Sequence, residues 1–275
     1  MEPIYIILIS VGSALMLLFL LYLFAIKPRF NKKAVKPFLE YKYAHRGYHG
    51  DGAEENSVTA FERAIEKGYG IEIDVRFSKD GELMVFHDET LKRVCGIDKR
   101  VVDLTLAELK EIKLGSTEDT IPTFREVLDL VNGRTPLLIE IKQDKGEGDV
   151  ASATAEALKD YKGEFLIQSF NPLAVATFKK KLPKAVRGIL SDNFFREKER
   201  RTTLYFALKN LLLNFLCRPD FVSFNHLEYK SSFTLRFVKK LYRPVLFAWT
   251  LRSADDEARA KEQGFSGIIF ENYQA

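Results

Sequence analysis

The sequence predicts an α/β protein, a (β/α)8 TIM barrel with a β-hairpin and a short insertion after the second strand, preceded by one transmembrane helix. Short apolar or β-branched runs alternate with amphipathic helical stretches, the pattern of a parallel sheet covered by helices. Nine such runs can be counted, and setting aside one as a hairpin arm leaves eight. Beyond an apolar N-terminus about 230 residues remain, a length that suits one large barrel or two small domains.

The first element is Ile4 to Ile26, IYIILISVGSALMLLFLLYLFAI, which carries no charge. At about 1.5 Å per residue it is long enough to cross a hydrocarbon core of about 30 Å. No basic stretch precedes it and no small-residue cleavage site follows, so it reads as a span (residues 1–26) rather than a secretory signal. Residues 27–42 form a basic juxtamembrane linker containing Lys27, Arg29, Lys32, Lys33, Lys36 and Lys42. This asymmetry predicts a single-pass protein of the cell membrane, with residues 43–275 in the cytoplasm and the linker beside anionic headgroups. Those six cations against Glu2 and Glu40 already make up the whole formal charge of +4. The remainder is neutral, which argues against nucleic-acid binding. Cys95 and Cys217 fit no metal spacing and suit reduced cytosolic thiols.

The first strand is YAHRG (43–47), followed by the helical SVTAFERAIEKG, which closes at a glycine. GIEIDVRF (70–77) is the second, and the Asp-Gly signal in SKDGEL makes LMVFHD (83–88) its antiparallel return. A two-residue turn at Asp80 and Gly81 sets Asp74 opposite His87 on one face; a bulge would move that register by one residue. Then come PLLIEIK (136–142), EFLIQSF (164–170), VRGIL (186–190), DFVSFNH (220–226), PVLFAWT (244–250) and GIIFEN (267–272). Helical patterns such as TFREVLDLVNG, DVASATAEALKDY and ADDEARAKEQG separate them.

Glu72 and Asp74 stand two apart and point to one face of their strand. Glu140 lies near the end of another predicted parallel strand, and in a (β/α)8 barrel that rim is where chemistry occurs. Three converging carboxylates repel one another unless a cation neutralises them, and oxygen-only ligation suits one Ca²⁺ or Mg²⁺. Three of the four histidines, His45, His49 and His87, flank these carboxylates in sequence. A divalent metal with nearby imidazoles suits phosphoryl chemistry near neutral pH.

The ordered set HRG, EN, AF, EIDV, DG, FHD, LKR, IPTF, IEIK, QSF and AWT covers most of Tyr43 to Asn272. It resembles the glycerophosphodiester phosphodiesterases. The resemblance implies a metal-dependent phosphoric diester hydrolase that releases glycerol 3-phosphate and an alcohol. Carried over residue by residue, it implies His45 and His87 as general acid and base and Glu72, Asp74 and Glu140 as metal ligands. Arg46 would bind a phosphate oxygen and Lys142 would reach phosphate or glycerol. Glu55 and Asn56 would support the site, and Phe170 and Trp249 would line the glycerol or leaving-group pocket. The chain departs from the family pattern at Glu54, where proline is common, and in WTLRS and IIFENYQA, so Arg252 and Glu271 are expected to reshape the pocket rim.

Taken singly, these residues have blander readings: Glu140 with Lys142 is a salt bridge, Phe170 and Trp249 are core, His226 is structural and His49 sits in a loop. Only the full set points to catalysis. A lysophospholipase D acting on membrane glycerolipids is the second enzymatic reading, and a non-catalytic membrane-bound barrel the third. LYFALKNLLLNFLCR (204–218), after the basic REKERR, is either a barrel helix or a helix lying on the bilayer.

Overall fold

The computed structural model of the chain describes residues 3–143 and 146–275. One sheet contains β1 (Lys42–Ala44), β2 (Gly70–Phe77), β3 (Leu83–Val85), β4 (Leu137–Ile141), β5 (Phe165–Ser169), β6 (Val186–Ser191), β7 (Phe221–Asn225), β8 (Val245–Leu251) and β9 (Gly267–Phe270). Because β1 pairs in parallel with both β2 and β9, the eight parallel strands close into a barrel. The alternation in the sequence is thereby borne out. Only β3 runs antiparallel, against β2.

Side-chain alternation divides each strand between two cores. Ile71, Ile73 and Val75 pack outward with helix residues such as Phe61 and Phe124. Tyr43, Leu138, Leu166, Phe221, Phe247 and Ile269 pack together inside the barrel. Two glycines make room for the rings: a Cβ on Gly188 would lie 2.2 Å from the Phe221 ring, and one on Gly267 would lie 2.3 Å from Phe247. Residues between the apolar helix Pro3–Ile26 and β1 close the bottom of the barrel. Val35 and Phe38 join its inner core, and the Tyr43 hydroxyl donates to the Phe38 carbonyl at 3.2 Å.

The hairpin departs from the expected register. Val75 pairs with Val85 and Phe77 with Leu83, so Asp74 faces Phe86 rather than His87. The cause is a three-residue loop, Lys79 to Gly81. Ser78 N–H donates to the Glu82 carbonyl at 2.9 Å, and Gly81 takes the left-handed conformation at φ +82° that such loops need. His87 therefore lies beyond the end of β3 and is held differently. Arg76, 1% exposed, donates through Nη2 to the His87 carbonyl at 2.9 Å and through Nη1 to Glu147 Oε1 at 2.7 Å. The short insertion that follows builds its own small core from Met84, Phe86, Leu91, Val101, Leu109 and Ile121.

The Arg76–Glu147 contact is a charge-assisted hydrogen bond shielded from water. We expect Glu147→Ala to lower the free energy of unfolding by about 1.5–3 kcal/mol. Urea denaturation of the purified chain measures this, and a loss below about 1 kcal/mol would show that Arg76 is neutralised elsewhere.

Candidate active site

Parallel pairing of β2 with β4 sets Asp74 beside Glu140, and strand alternation brings Glu72 to the same inner face. All three carboxylates are buried, and one oxygen from each lies within 4.8 Å of the others. Lys142, just past β4, places Nζ 3.1 Å from Asp74 Oδ1 and hydrogen-bonds Glu140 Oε1. The salt-bridge reading of Glu140 and Lys142 is thus correct as far as it goes, but the pair belongs to a larger cluster.

Immediately after β1 the chain turns sharply, with Arg46 at φ +59° and Gly47 at φ +84°. A Cβ on Gly47 would lie 2.8 Å from Ala60 Cβ, so HRG requires its glycine. This turn aims the Arg46 N–H at Glu72 Oε2 (3.0 Å) and brings its Nε within 3.6 Å of Asp74 Oδ2. The EN motif closes over it. Asn56 N–H donates to the Arg46 carbonyl at 2.8 Å, and Asn56 Nδ2 donates to Asp74 Oδ2 at 3.0 Å.

Burial would push the Asp74 carboxyl up, but Lys142, His87, Arg46 and His45 together hold it well below the usual carboxylate range. Burial pushes Glu72 well up, and the charges of Asp74 and Glu140 add to this. Glu140 also rises through burial, although Lys142 opposes the shift. Lys142 gains basicity from Asp74 and Glu140 despite its burial. The cluster is therefore short of positive charge. Asp74 Oδ1, buried, has no well-aligned hydrogen bond even with Lys142 Nζ nearby. An all-oxygen donor set with an under-satisfied carboxylate fits a hard divalent cation such as Ca²⁺ or Mg²⁺.

His45 and His87 are each held by a carboxylate. β1 and β9 align Ala44 with Phe270, so the next residues on each strand, His45 and Glu271, sit side by side. His45 Nδ1 lies 2.6 Å from Glu271 Oε2, while Arg252 Nε donates to Glu271 Oε1 at 2.7 Å. His87 Nδ1 lies 2.6 Å from Asp88 Oδ1. Asp88 in turn accepts from Arg93 Nε at 2.6 Å; Arg93 also donates to Glu55 (2.6 and 2.8 Å), and Glu55 accepts from Arg46 Nη1 at 2.7 Å. Burial lowers His45 to about 4, with the Glu271 hydrogen bond opposing the drop. Glu271 is itself held at about 2, burial being outweighed by His45 and Arg252.

Two cavities meet at Glu140 and Phe170. The inner one, about 30 Å³, is bounded by His45, Glu72, Glu140, Phe170 and Trp249. The outer one, about 570 Å³, is bounded by His87, Glu140, Lys142, Phe170, Phe194 and Tyr205 among others. Phe170 meets Trp249 edge-on, with centroids 5.7 Å apart. His49 is a loop residue with Nε2 3.9 Å from Glu271, and His226 is buried beyond β7. Sequence reasoning missed the ion-pair chain through Asp88 and Arg93, although FHD and LKR contain both residues. It placed Glu271 on the rim without its contact to His45.

A closed parallel barrel with three buried carboxylates gathered on the inner faces of β2 and β4 defines a (β/α)8 protein with an acidic cluster able to hold a metal ion. Residues 45–275 match the glycerophosphoryl diester phosphodiesterase family, and the chain belongs to it. It is 37% identical over 159 residues to a glycerophosphodiester phosphodiesterase of Caldanaerobacter subterraneus, across 54% of this chain and 65% of that protein. The match thus spans just under two thirds of that relative's length. A lysophospholipase D of Rattus norvegicus is 30% identical over 149 residues, 50% of this chain and 46% of its own. The solved structure of an Oleispira antarctica phosphodiesterase in complex with the product sn-glycerol-3-phosphate is similar, with a TM-score of 0.70. It is 25% identical over 87% of this chain and 95% of that one.

With its pKa near 4, His45 stays neutral through the physiological range. A His NMR titration of the metal-free protein should show its imidazole taking up a proton only near pH 4. Glu271→Gln removes a contact that favours the protonated ring, so the midpoint should fall further. A midpoint near 6.5, the ordinary histidine value, would show that burial does not govern this group.

Proposed function

We propose that the chain hydrolyses glycerophosphodiesters to glycerol 3-phosphate and an alcohol. In this reading Glu72, Asp74 and Glu140 hold one divalent cation, Ca²⁺ or Mg²⁺, and His45 and His87 move the protons. The observation that carries it is the buried three-carboxylate cluster with a carboxylate-held histidine on either side. When bound, the cation offsets phosphate charge and polarises a phosphoryl oxygen.

The chain's own groups supply the rest. Arg46 Nε and Trp249 Nε1 are buried donors without a hydrogen-bond partner, which suits them to a phosphate oxygen and a glycerol hydroxyl. Phe170 completes the apolar wall, and Lys142 reaches the same space. Glu55 and Asn56 fix Arg46 and Asp74. His45, neutral and bonded to Glu271 through Nδ1, leaves Nε2 to accept a proton from the attacking oxygen. His87 faces the roomier cavity, where a leaving alcohol of variable size fits, and Asp88 supports it as the proton donor. A lysophospholipid presents the same phosphodiester, so this catalytic set serves both readings, and the choice between them lies outside the pocket.

We also place the chain in the cell membrane through Ile4–Ile26, with residues 27–42 as juxtamembrane linker and 43–275 as the cytoplasmic catalytic unit. Support comes from a stretch of 23 residues with mean hydropathy 2.7, none of it buried over its most apolar part, and from the cations that follow it.

The test is glycerol 3-phosphate release by the full chain from a panel of glycerophosphodiesters with Ca²⁺, Mg²⁺ or EDTA. EDTA should abolish turnover, and His45→Ala and Glu72→Ala should each lower it by about 10²–10⁴-fold. A folded protein with no turnover in either metal would favour the non-catalytic barrel, and turnover indifferent to EDTA would refute the cation site.

A further inference from the structure

The last turns of the apolar helix are fastened to the barrel. Arg218 Nη1 donates to the Phe24 and Lys27 carbonyls, each at 2.8 Å, and its guanidinium lies 4.3 Å from the Phe24 ring centroid. Asn214 Nδ2 donates to the Ile26 carbonyl at 3.1 Å, and the Tyr242 hydroxyl donates to the Leu23 carbonyl at 2.9 Å. These are carbonyls of the kind a helix C-terminus leaves unpaired. Ile26 is fully buried, so helix and barrel are joined by a packed, capped contact and not by a free tether.

The order of contacts sets a direction. Arg29 N–H meets the Pro219 carbonyl, just before β7, at 2.8 Å. Phe30 packs on Tyr242, the last residue of the helix Phe233–Tyr242, with centroids 6.0 Å apart. Tyr22 packs on Phe237, midway along that helix, and Phe237 stacks on Phe233 at its start. The helix Phe233–Tyr242 follows β7 and runs back from the C-terminal rim to the N-terminal end. From residue 30 back to residue 22, the chain therefore climbs toward the rim that holds the carboxylates. Pro3–Leu21, about 28 Å of helix at ~1.5 Å per residue, continues that way and comes close to the thickness of a hydrocarbon core.

The same side of the barrel carries its exposed apolar surface. Beyond Phe30, every large apolar side chain exposed among the described residues falls between Leu173 and Leu241. Leu173, Leu204, Phe206, Leu227 and Phe233, 49–69% exposed, all follow the C-terminal ends of β5, β6 or β7. Exposed Lys198, Arg201 and Lys230 stand among them. The 204–218 stretch breaks into two short helices, Thr203–Lys209 and Asn214–Cys217. Of the first, Tyr205 and Leu208 line the outer cavity while Leu204 and Phe206 are exposed. The second bears Phe215, 6.2 Å from Phe24 of the apolar helix.

We infer that the catalytic rim lies against the bilayer that holds the apolar helix up to Leu21, and that the enzyme draws an acyl-bearing glycerophosphodiester from that surface. The inference rests on the proposed span and diesterase activity. Apolar rim residues enter the interfacial region while neighbouring cations meet anionic headgroups. The diester reaches down into the outer cavity beside His87 and Lys142, and its acyl chain leaves over the helix Thr203–Lys209 into lipid.

The experiment uses the full chain reconstituted in phosphatidylcholine/phosphatidylglycerol vesicles. A fluorophore is placed at Leu204→Cys, Phe233→Cys or Lys162→Cys in a Cys95→Ser background, and nitroxide-bearing lipids serve as quenchers. Lys162, exposed before β5, marks the opposite end of the barrel. Labels at 204 and 233 should be quenched and the label at 162 spared. Equal quenching, the reverse pattern, or quenching that depends on protein density and so reports a second copy would overturn the contact. On lysophospholipid in the vesicles, the double variant Leu204→Asp/Phe206→Asp should lose about tenfold in rate while its rate on a soluble glycerophosphodiester holds. Equal loss on both substrates would refute lipid uptake over this helix. If neither substrate is cleaved while quenching persists, the diesterase reading falls and the rim's contact with lipid stands.

Discussion

The fold is organised around a charge problem at the barrel mouth. Two like charges 4.8 Å apart at an effective dielectric of 20 repel by about 3 kcal/mol. With Glu72, Asp74 and Glu140 all ionised, three such pairs would reach about 10 kcal/mol, comparable to the whole stability of an ordinary domain. Positive charge and oriented dipoles must therefore come to them. Lys142 arrives from the end of β4, Arg46 through its backbone N–H and guanidinium, and Asn56 through its amide. The left-handed turn at Arg46 and Gly47 exists to make that delivery. Even so, burial still raises Glu72 and Glu140, which leaves a vacancy of charge that a divalent cation suits.

The two histidines are fixed by matching devices. His45 leans on Glu271, which is clamped by Arg252; His87 leans on Asp88, which is clamped by Arg93. The outer guanidinium is well exposed in both arms, 60% for Arg252 and 50% for Arg93. Exposed ion pairs contribute little to stability, so the consequence of these arms is positional: each sets which ring nitrogen faces the cavity. The arms differ in one respect. That of His87 runs on through Glu55 to Arg46 and so touches the carboxylate cluster again, which ties the outer histidine to the inner site.

The eight parallel strands were legible because a strand buried on both faces reads as a continuous apolar run, and Glu72, Asp74 and Glu140 stood out within such runs. The hairpin register was not legible to the residue. Asp-Gly marks a tight turn, but whether it closes as two residues or three depends on Ser78 pairing with Glu82, a contact that composition does not reveal. His87 therefore reaches the site through Arg76 and Glu147 rather than by pairing with Asp74. Glu271 illustrates a second limit. It meets His45 across 226 positions, and only the register of β1 on β9, fixed by barrel closure, brings them together. The stretch before β1 reads as a basic linker by charge, while Val35 and Phe38 within it pack into the barrel floor.

That floor bears on function. Val35 and Phe38 fill the N-terminal end of the barrel interior, and the cavities bounded by Glu72 and Glu140 lie toward the other end. The residues that close the floor run directly into those that fasten the apolar helix to the barrel wall, Arg29 at Pro219 and Lys27 at Arg218. One continuous stretch, residues 22–40, therefore fixes both which end is shut and which way the helix leaves. A flexible tether would let the mouth face any direction relative to the apolar helix. A capped helix end removes that freedom, so the direction in which the carboxylate rim faces relative to that helix is settled by folding.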